Sequence, residues 1–196
     1  MTDCDLDKQR LRHQALRHRR RMTGDEVRTA GLSLHQHVRN WPIWDRIRTI
    51  HTYVDALPGE IPTRPLIETA LAAGWRVTIP VVDAEGQLCH SHLSDPADLQ
   101  RGRMRLWEPM TPHWVEDLSD LDLILVPGAA FDRDGGRVGL GGGYYDRLLA
   151  ELPKSTLRAG FVYDAWLLDK VPTDTHDQPV DVIFTEMGLH TTKRDD

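Results

Sequence analysis

The sequence is poor in cysteine, with only Cys4 and Cys89 among 196 residues. This pair forms neither the spacing of a zinc site nor the disulfide framework of a small secreted domain. No apolar run approaches the ~18 residues that a membrane-spanning helix needs, and the basic N-terminus lacks the apolar segment of a secretory signal. We therefore expect a soluble protein of the reducing cytoplasm, without a membrane partner.

Net positive charge is also lacking, since the formal net charge is −6. This balance argues against nonspecific nucleic-acid binding as the main task, so no nucleic-acid partner is expected. The length suits one domain with a large core. Because no internal repeat or linker divides the chain, residues 1–196 are predicted to form a single domain. No feature indicates an obligate protein partner.

Segments of strand and helix character alternate along the chain. Helices are predicted from the capping box at Thr23 and Glu26 to about Trp41, and from Thr63 to Gly74. Such alternation is typical of a three-layer α/β domain, in which helices cover both faces of a mainly parallel sheet. Residues 180–185 are expected to be the final strand. The other strands are predicted at residues 49–54, 75–82, 87–93, 121–126 and 157–163.

The segment 94–120 is less regular, because Pro96, Pro109 and Pro112 interrupt it. A connection of this length is typical of a lid or a binding loop. Within it, Trp107 and Glu108 place an aromatic ring beside a carboxylate. Taken alone, that pair favours packing and surface exposure over a site.

Residues of about 5–22 are rich in arginine and predict a basic helix that packs on the domain through a narrow apolar face. That face consists of Leu6, Leu11, Ala15 and Met22. The pattern alone favours a solvated charged surface. Two alternatives remain open: one or two of the cations reach a phosphate, or the helix binds RNA, against which the net charge and the scarcity of aromatic residues both argue.

Glycine is concentrated in one stretch, residues 126–149, which reads VPGAAFDRDGGRVGLGGGYYDRLL. It begins as the end of an apolar strand and closes as a helix. Glycines at such a junction let backbone N–H groups approach an anion, to which the helix N-terminus adds its dipole. The spacing matches neither a Walker A loop nor the dinucleotide pattern GxGxxG. The stretch therefore predicts a phosphate cradle of unspecified use.

Charged and aromatic side chains flank this cradle. Arg137 and Arg147 offer planar donors suited to phosphate oxygens. Asp146 either favours the helix dipole, worth ~0.3–1 kcal/mol, or binds Mg²⁺ beside a phosphate. Tyr144 and Tyr145 either pack in the core or stack on an aromatic ligand.

Several motifs, in order along almost the whole chain, resemble the 5-formyltetrahydrofolate cyclo-ligase family. Residues 126–149 follow its signature VPGxAFDxxGxRLGxGGGYYDRxL nearly residue for residue. The segment from Lys8 to Arg12 is similar to the family's K-x-x-L-R, and that from Glu60 to Thr63 to its E-[ILV]-x-T. Residues 108–109 are similar to its E-P, and residues 171–172 with 176–177 to its L-P…H-D.

The resemblance implies an enzyme that uses ATP and Mg²⁺ to convert 5-formyltetrahydrofolate into 5,10-methenyltetrahydrofolate, with release of ADP and phosphate. The formyl oxygen would attack the γ-phosphate, and N10 would then close on the phosphorylated carbon. Such phosphoryl transfer asks the protein chiefly for positioning and charge neutralisation. The alternative is a noncatalytic folate- or nucleotide-binding protein of the same fold.

The resemblance also implies roles for individual residues. Lys8 and Arg137 are the implied catalytic cations, Asp146 and Asp177 the Mg²⁺ ligands, and Glu60 the hydrogen-bond acceptor for the pterin. Residues implied for ATP are Lys8, Gln9, Arg10, Leu11, Arg12, Arg137, Val138, Gly139, Leu140, Gly141, Gly142, Gly143, Tyr144 and Tyr145. Those implied for the folate are Val54, Glu60, Trp107, Leu140, Gly141, Gly142, Gly143 and Tyr144.

Three positions depart from the family pattern. Val138 stands where leucine is usual, a conservative change. Gly142 stands where some relatives carry lysine, so more of the phosphate charge would rest on the remaining cations. Trp166 stands where glutamine is common, which would alter the folate pocket if that position touches the substrate.

Overall fold

The computed structural model describes residues 3–103 and 106–192. No helix within these ranges is long and apolar enough to cross a membrane. The helices are α1 (Asp3–Arg19), α2 (Gly24–Arg39), α3 (Arg64–Ala72) and α4 (Tyr144–Glu151). The strands are β1 (Thr49–Thr52), β2 (Arg76–Val82), β3 (Leu88–Leu93), β4 (Leu99–Arg101), β5 (Trp107–Pro109), β6 (His113–Trp114), β7 (Leu123–Pro127), β8 (Ala130–Asp132), β9 (Arg137–Val138), β10 (Leu157–Phe161), β11 (Leu167–Leu168), β12 (Val182–Thr185) and β13 (Gly188–Thr191).

The main sheet has eight strands in the order β13-β12-β10-β7-β1-β2-β3-β6. The central strands β12, β10, β7, β1 and β2 run parallel to one another. The edge strands β13, β3 and β6 pair antiparallel. Two smaller sheets, β11-β8-β9 and β4-β5, lie beside the main sheet.

Helices pack on both faces of the main sheet. On one face, Leu34 of α2 and Leu66 of α3 are buried with the strand residues Ile50 and Phe161 in one apolar cluster. On the other face, Leu149 of α4 is buried in a second cluster formed with other strand residues. The prediction of an α/β fold with a mainly parallel sheet covered on both sides is confirmed.

Local signals in the sequence place several helix ends correctly. The Thr23 hydroxyl accepts the Glu26 N–H and the Glu26 carboxylate accepts the Thr23 N–H, which is the predicted capping box. Gly74 follows the C-cap of α3 with a φ of +75°, a conformation that glycine adopts without steric cost.

Two features of the fold differ from the prediction. The final strand is β13 rather than residues 180–185, because the chain turns after β12 and pairs back on it. The central stretch also contains the short strands β8 and β9 where only a loop was expected. Asp132 builds their turn: its carboxylate accepts the N–H groups of Asp134, Gly136 and Val171.

The basic helix α1 lies against this small sheet. Ala15 is fully buried with Ala130 and Val138, and Leu11 packs on the same cluster. Leu6, assigned to the apolar face, is instead 45% exposed. Arg19 is buried, and its Nη2 donates to the carbonyl of Gly128. One arginine of this helix is therefore part of the interior.

The contact between α1 and the loop at Gly59 predicts that alanine substitution destabilises the fold more at Gly59 than at Gly74. A Cβ on Gly59 (φ +67°) would lie 2.2 Å from the carbonyl oxygen of Arg19, whereas a Cβ on Gly74 (φ +75°) would meet nothing within 4 Å. We expect Gly74→Ala to lower the free energy of unfolding by about 1–2 kcal/mol through backbone strain alone. Gly59→Ala should cost about 1–3 kcal/mol more, because the clash is with backbone.

Urea unfolding of both variants measures this difference, and Gly74→Ala serves as the matched control. Equal losses for the two variants would contradict the close approach of α1 to the Gly59 loop.

Candidate active site

A cleft of about 430 Å³ opens at the carboxyl ends of the central parallel strands. Val54 follows β1, Val82 ends β2 and Pro127 ends β7, and all three line it. Ligands of parallel α/β sheets bind at this end of the strands. The opposite wall comes from α1, from the glycine loop before α4 and from the loop that carries Asp177.

The glycine loop from Gly139 to Gly143 leads directly into α4, and its residues line the cleft. Gly141 has a φ of +108° and Gly143, the N-cap of α4, a φ of +63°. The Nε of Arg12 donates to the carbonyl of Gly139 over 2.7 Å. A helix of the N-terminal segment thus holds the loop that begins α4.

Each of two cations in the cleft contacts carboxylates. The Lys8 ammonium donates to Asp174 over 2.7 Å and to Asp177 over 2.5 Å. The Nη2 of Arg137 donates to Oδ1 of Asp146 over 2.6 Å. Both pairs are largely buried, because the side chains of Lys8, Arg137 and Asp177 are only 12%, 5% and 13% exposed. Charges removed from water require such partners.

These contacts shift the pKa of Lys8 and that of its partner Asp174. Burial alone lowers the pKa of Lys8, but hydrogen bonds to Asp174 and Asp177 outweigh it, so the pKa is raised. The hydrogen bond from Lys8 lowers the pKa of Asp174. Near neutral pH the contact between Lys8 and Asp174 therefore joins an ammonium to a carboxylate.

The carboxylates of Asp146 and Asp177 are of the ligand type that a hard divalent cation prefers, but two carboxylates do not complete its coordination. The hydrogen bonds described for Asp146 go to its Oδ1, from Arg137 and from the Gln178 N–H. Those of Asp177 go to its Oδ2, from Lys8 and the Asp174 N–H. Oδ2 of Asp146 and Oδ1 of Asp177 thus accept no described hydrogen bond, although Nε2 of His176 lies 3.9 Å from Oδ1 of Asp177. No described group of three or more His, Cys, Asp or Glu residues could hold a metal, so Mg²⁺ would need ligand oxygens as well.

The inner part of the cleft is apolar around one buried carboxylate. Glu60 is 8% exposed, and its Oε2 accepts the N–H groups of Ala56 and Leu57 over 2.9 and 3.2 Å. Burial raises the pKa of Glu60, although those two N–H groups oppose the shift. Tyr145 also lines the cleft, and its buried hydroxyl has no hydrogen-bond partner among the described residues.

The cleft gathers most of the residues implied by the resemblance. Gln9 and Arg10 instead lie exposed on α1, and Leu11 and Val138 pack in the apolar core. Their role at ATP stays a prediction that the cleft does not support. The implied residues that do line the cleft are Lys8, Arg12, Val54, Glu60, Trp107, Arg137, Gly139, Leu140, Gly141, Gly142, Gly143, Tyr144, Tyr145, Asp146 and Asp177.

The structure shows where Arg147, Gly142 and Trp166 lie relative to the cleft. Arg147 lies outside the cleft, with its guanidinium over the Tyr144 ring. A Cβ on Gly142 would lie 2.6 Å from that same ring, so Tyr144 fills the space beside this glycine. Trp166 packs against α1 and donates to His18 over 3.0 Å rather than lining the cleft.

Sequence reasoning missed Asp174, the second partner of Lys8. Its only signal was its place three residues before Asp177 in a loop rich in threonine and aspartate. Asp132 was missed as well, although an aspartate two residues before Asp134-Gly135-Gly136 is typical of a side chain that caps a turn.

Fold and cleft together define an α/β protein with a cleft at the carboxyl ends of its parallel strands, lined by a glycine loop and buried ion pairs. The profile of the 5-formyltetrahydrofolate cyclo-ligase family matches residues 5–186. The 5-formyltetrahydrofolate cyclo-ligase of Escherichia coli K12 is 31% identical over 171 residues, 85% of this chain and 93% of its own. That of Mycolicibacterium smegmatis is 36% identical over 154 residues, 70% of this chain and 73% of its own.

Solved structures agree with the sequence comparisons. The 5,10-methenyltetrahydrofolate synthetase of Aquifex aeolicus superposes with a TM-score of 0.83 at 29% identity, covering 96% of this chain and 94% of its own. That of Mycoplasma pneumoniae, at 22% identity and a TM-score of 0.73, shares the fold. The chain belongs to the 5-formyltetrahydrofolate cyclo-ligase family.

The buried carboxyl group predicts a pH-dependent stability difference. The pKa of Glu60 in the folded protein lies above its ordinary value of 4.5. The folded state therefore binds more protons than the unfolded state between these values, and Glu60 costs stability as the pH rises through them. Glu60→Gln removes this cost, while its amide oxygen can still accept the two backbone N–H groups.

We expect the melting temperature of Glu60→Gln relative to the wild type to rise as the pH increases from 4 to 7. Thermal melts of both proteins across this range provide the measurement. A constant difference would show that the Glu60 carboxyl group titrates alike in the folded and unfolded states.

Proposed function

We propose that the protein catalyses the ATP- and Mg²⁺-dependent conversion of 5-formyltetrahydrofolate to 5,10-methenyltetrahydrofolate, with release of ADP and phosphate. One observation carries the proposal: a single cleft joins the charged glycine loop to the apolar pocket of Glu60. A nucleotide phosphate and a pterin could therefore lie side by side in it. The free thiols of Cys4 and Cys89 support the expected cytoplasmic setting.

At the charged end, the ion pairs would exchange partners when ATP binds. Lys8 and Arg137 would turn from the carboxylates to the phosphates, joined by Arg12 and the N–H groups of the glycine loop. Asp146 and Asp177 would hold Mg²⁺, which supplies positive charge to the phosphate oxygens. Because Asp174 also contacts Lys8, it would keep this ammonium in the cleft after Asp177 has changed partner.

At the apolar end, Glu60 would accept hydrogen bonds from the pterin, and Val54 would contact its ring. The pterin would then lie beside the loop from Leu140 to Tyr144, with the formyl oxygen towards the γ-phosphate. This oxygen would attack the γ-phosphorus as ADP leaves. N10 would then add to the formyl carbon and lose its proton, and phosphate would leave with the former formyl oxygen.

The protein's contribution to this chemistry would be position and charge. Phosphoryl transfer spreads negative charge over the transferred group, and buried donors stabilise it more than donors in water do. Lys8 and Arg137 are the buried cations of the cleft that could donate to it.

The reaction itself provides the first test. Mixing the protein with 5-formyltetrahydrofolate, ATP and Mg²⁺ should produce the absorbance of the methenyl product, and omission of ATP should abolish it. Tight binding of folate or nucleotide without any ATP-dependent absorbance would favour a noncatalytic binding protein instead.

Two arginines of α1 provide a matched pair. Arg12 lines the cleft and holds the Gly139 carbonyl, whereas Arg10 is exposed on the same helix. We expect Arg12→Ala to raise the KM for ATP by about tenfold, the effect of one charge-assisted hydrogen bond. Arg10→Ala should change it less than about twofold, as for an exposed charge.

Steady-state kinetics with ATP as the varied substrate measures both effects. Equal changes would indicate that these arginines act through the general charge of the helix and not through the glycine loop.

A carboxylate pair tests the metal assignment in the same way. Asp146→Asn should raise the Mg²⁺ concentration for half-maximal activity by about tenfold, because it removes one charged ligand. Asp134→Asn, which removes an exposed partner of Lys170, should leave it unchanged. An unaltered Mg²⁺ dependence in Asp146→Asn would remove Asp146 as a ligand.

A further inference from the structure

Trp166 lies outside the cleft and joins helix α1 to the segment that follows β10. The indole Nε1–H of Trp166 donates to Nδ1 of His18 over 3.0 Å, and the centroids of the two rings lie 6.1 Å apart. His18 belongs to the last turn of α1, and Trp166 ends the short 3₁₀ turn before β11. Two residues that are 148 positions apart in the chain thus form a hydrogen bond.

The core holds the indole of Trp166 in place. Trp166 is half-buried and packs against all three apolar clusters, and its backbone N–H donates to the carbonyl of Tyr163 over 2.8 Å. The Tyr163 ring meets the His18 ring edge-on, with 6.5 Å between the centroids. The Tyr163 hydroxyl donates to the carbonyl of Gly59 over 2.9 Å. The exposed imidazole of His18 therefore contacts two aromatic rings that the core fixes.

The segment from Trp166 to Asp177 runs antiparallel along α1. Its first residue contacts His18 near the end of the helix. Asp174 and Asp177, near the other end of the segment, contact Lys8 nearer the start of the helix. Two points on one helix are therefore bound by the two ends of one segment. The side chains of the apolar cluster between these points include Leu11 and Ala15 of α1 and Leu168 and Val171 of the segment.

Polar contacts matter for the position of α1 because its apolar face is small. Among the described residues of this helix, Ala15 and Arg19 are the buried ones, and Leu6 is 45% exposed. Apolar contact has no preferred direction, so it resists sliding and tilting of a helix less than hydrogen bonds do. The end of α1 is held by directional contacts, from Trp166 to His18 and from Arg19 to the carbonyl of Gly128.

A displacement at this end of α1 would be enlarged at Lys8. Ala15 is fully buried and lies between His18 and Lys8, so it is the natural pivot. At 1.5 Å per residue, His18 lies about 4.5 Å beyond Ala15 along the helix axis and Lys8 about 10.5 Å before it. A sideways shift of His18 would therefore be about doubled at Lys8. The hydrogen bonds of Lys8, of 2.7 and 2.5 Å, would not survive a shift of about 1 Å.

We propose that Trp166 is a positioning residue for the cations of α1. Its bond to His18 holds the helix on residues 166–177 and so keeps Lys8 and Arg12 at the end of the cleft where the phosphates of ATP would bind. This inference rests on the proposed function for the identity of the ligand, whereas the position of Lys8 can be measured without a ligand. Trp166, which departs from the family pattern, then acts on ATP binding through α1 and not through the folate pocket.

The test removes the hydrogen bond from either side and restores it from one. Trp166→Phe keeps an aromatic ring but removes the donor, and His18→Ala removes the acceptor. His18→Asn restores an acceptor, because its amide oxygen is attached to Cγ as Nδ1 is in histidine. His13→Ala is the matched control, since His13 is exposed on the same helix and does not line the cleft.

Acetylation by acetic anhydride, followed by mass spectrometry, measures the accessibility of the Lys8 ammonium without any ligand. The side chain of Lys8 is 12% exposed, whereas Lys154 is an exposed internal reference. We expect Trp166→Phe and His18→Ala to raise the rate at Lys8 relative to Lys154 about threefold or more, the equivalent of one hydrogen bond. His18→Asn and His13→Ala should stay within about 1.5-fold of the wild type.

Steady-state kinetics with ATP as the varied substrate tests the consequence for the cleft. Trp166→Phe and His18→Ala should each raise the KM for ATP about threefold, and His18→Asn should restore it. The double variant Trp166→Phe/His18→Ala should do no more than either single variant, because both remove the same bond. Unchanged labelling of Lys8 in both single variants, additive effects in the double variant, or equal changes in His18→Ala and His18→Asn would overturn the proposal.

The two measurements separate this inference from the proposed function. Faster labelling of Lys8, reversed in His18→Asn, in a protein that forms no methenyl product would retain the positioning and reject the reaction. Turnover with unchanged labelling and an unchanged KM for ATP would retain the reaction and reject the positioning. Faster labelling with an unchanged KM for ATP would also overturn the proposal, because Lys8 would then move without consequence for the nucleotide.

Discussion

The site depends on opposite charges held together out of water. Lys8 contacts Asp174 and Asp177, and Arg137 contacts Asp146, all at the carboxyl ends of the sheet. Neither cation could be buried there alone, because an unpaired buried charge costs several kcal/mol, roughly. Under the proposed function, the carboxylates would preserve the positive charge that a phosphate requires, and the cations would hold Asp146 and Asp177 in the cleft for a metal. The cations and the carboxylates thus compensate each other for the loss of hydration on burial.

The rest of the fold positions these ion pairs in the cleft. The parallel strands end at the cleft and fix Val54 and Pro127 there, while Asp132 builds the turn that leads to Arg137. Helix α1 brings Lys8 from the other end of the chain, and the contact of Arg12 with Gly139 joins that helix to the glycine loop. Under the proposed function, this domain would bind two substrates in one cleft, because the residues that line the cleft come from elements that the core already fixes.

Much of this was predictable from the sequence, for physical reasons. Alternating apolar segments and the capping box at Thr23 indicate the α/β sheet, and the glycines of 139–143 indicate an anion site between strand and helix. The strands β8 and β9 were not predictable, because their short pairing depends on the Asp132 turn more than on strand propensity. Ion pairs such as Lys8 with Asp174 join residues far apart in the chain, and periodicity carries no information about them. Motif resemblance also grouped Arg10 with Arg12, although helical geometry turns only Arg12 to the cleft.

Exchange of partners within the ion pairs is the central claim, and nucleotide binding tests it most directly. Calorimetric titration of ATP into the protein, once with excess Mg²⁺ and once with a chelator, measures whether metal and phosphate must enter together. The account predicts binding at least about tenfold tighter with Mg²⁺, because phosphates that take Lys8 and Arg137 leave Asp146 and Asp177 unpaired unless a cation joins them. Equal affinity under the two conditions would contradict it.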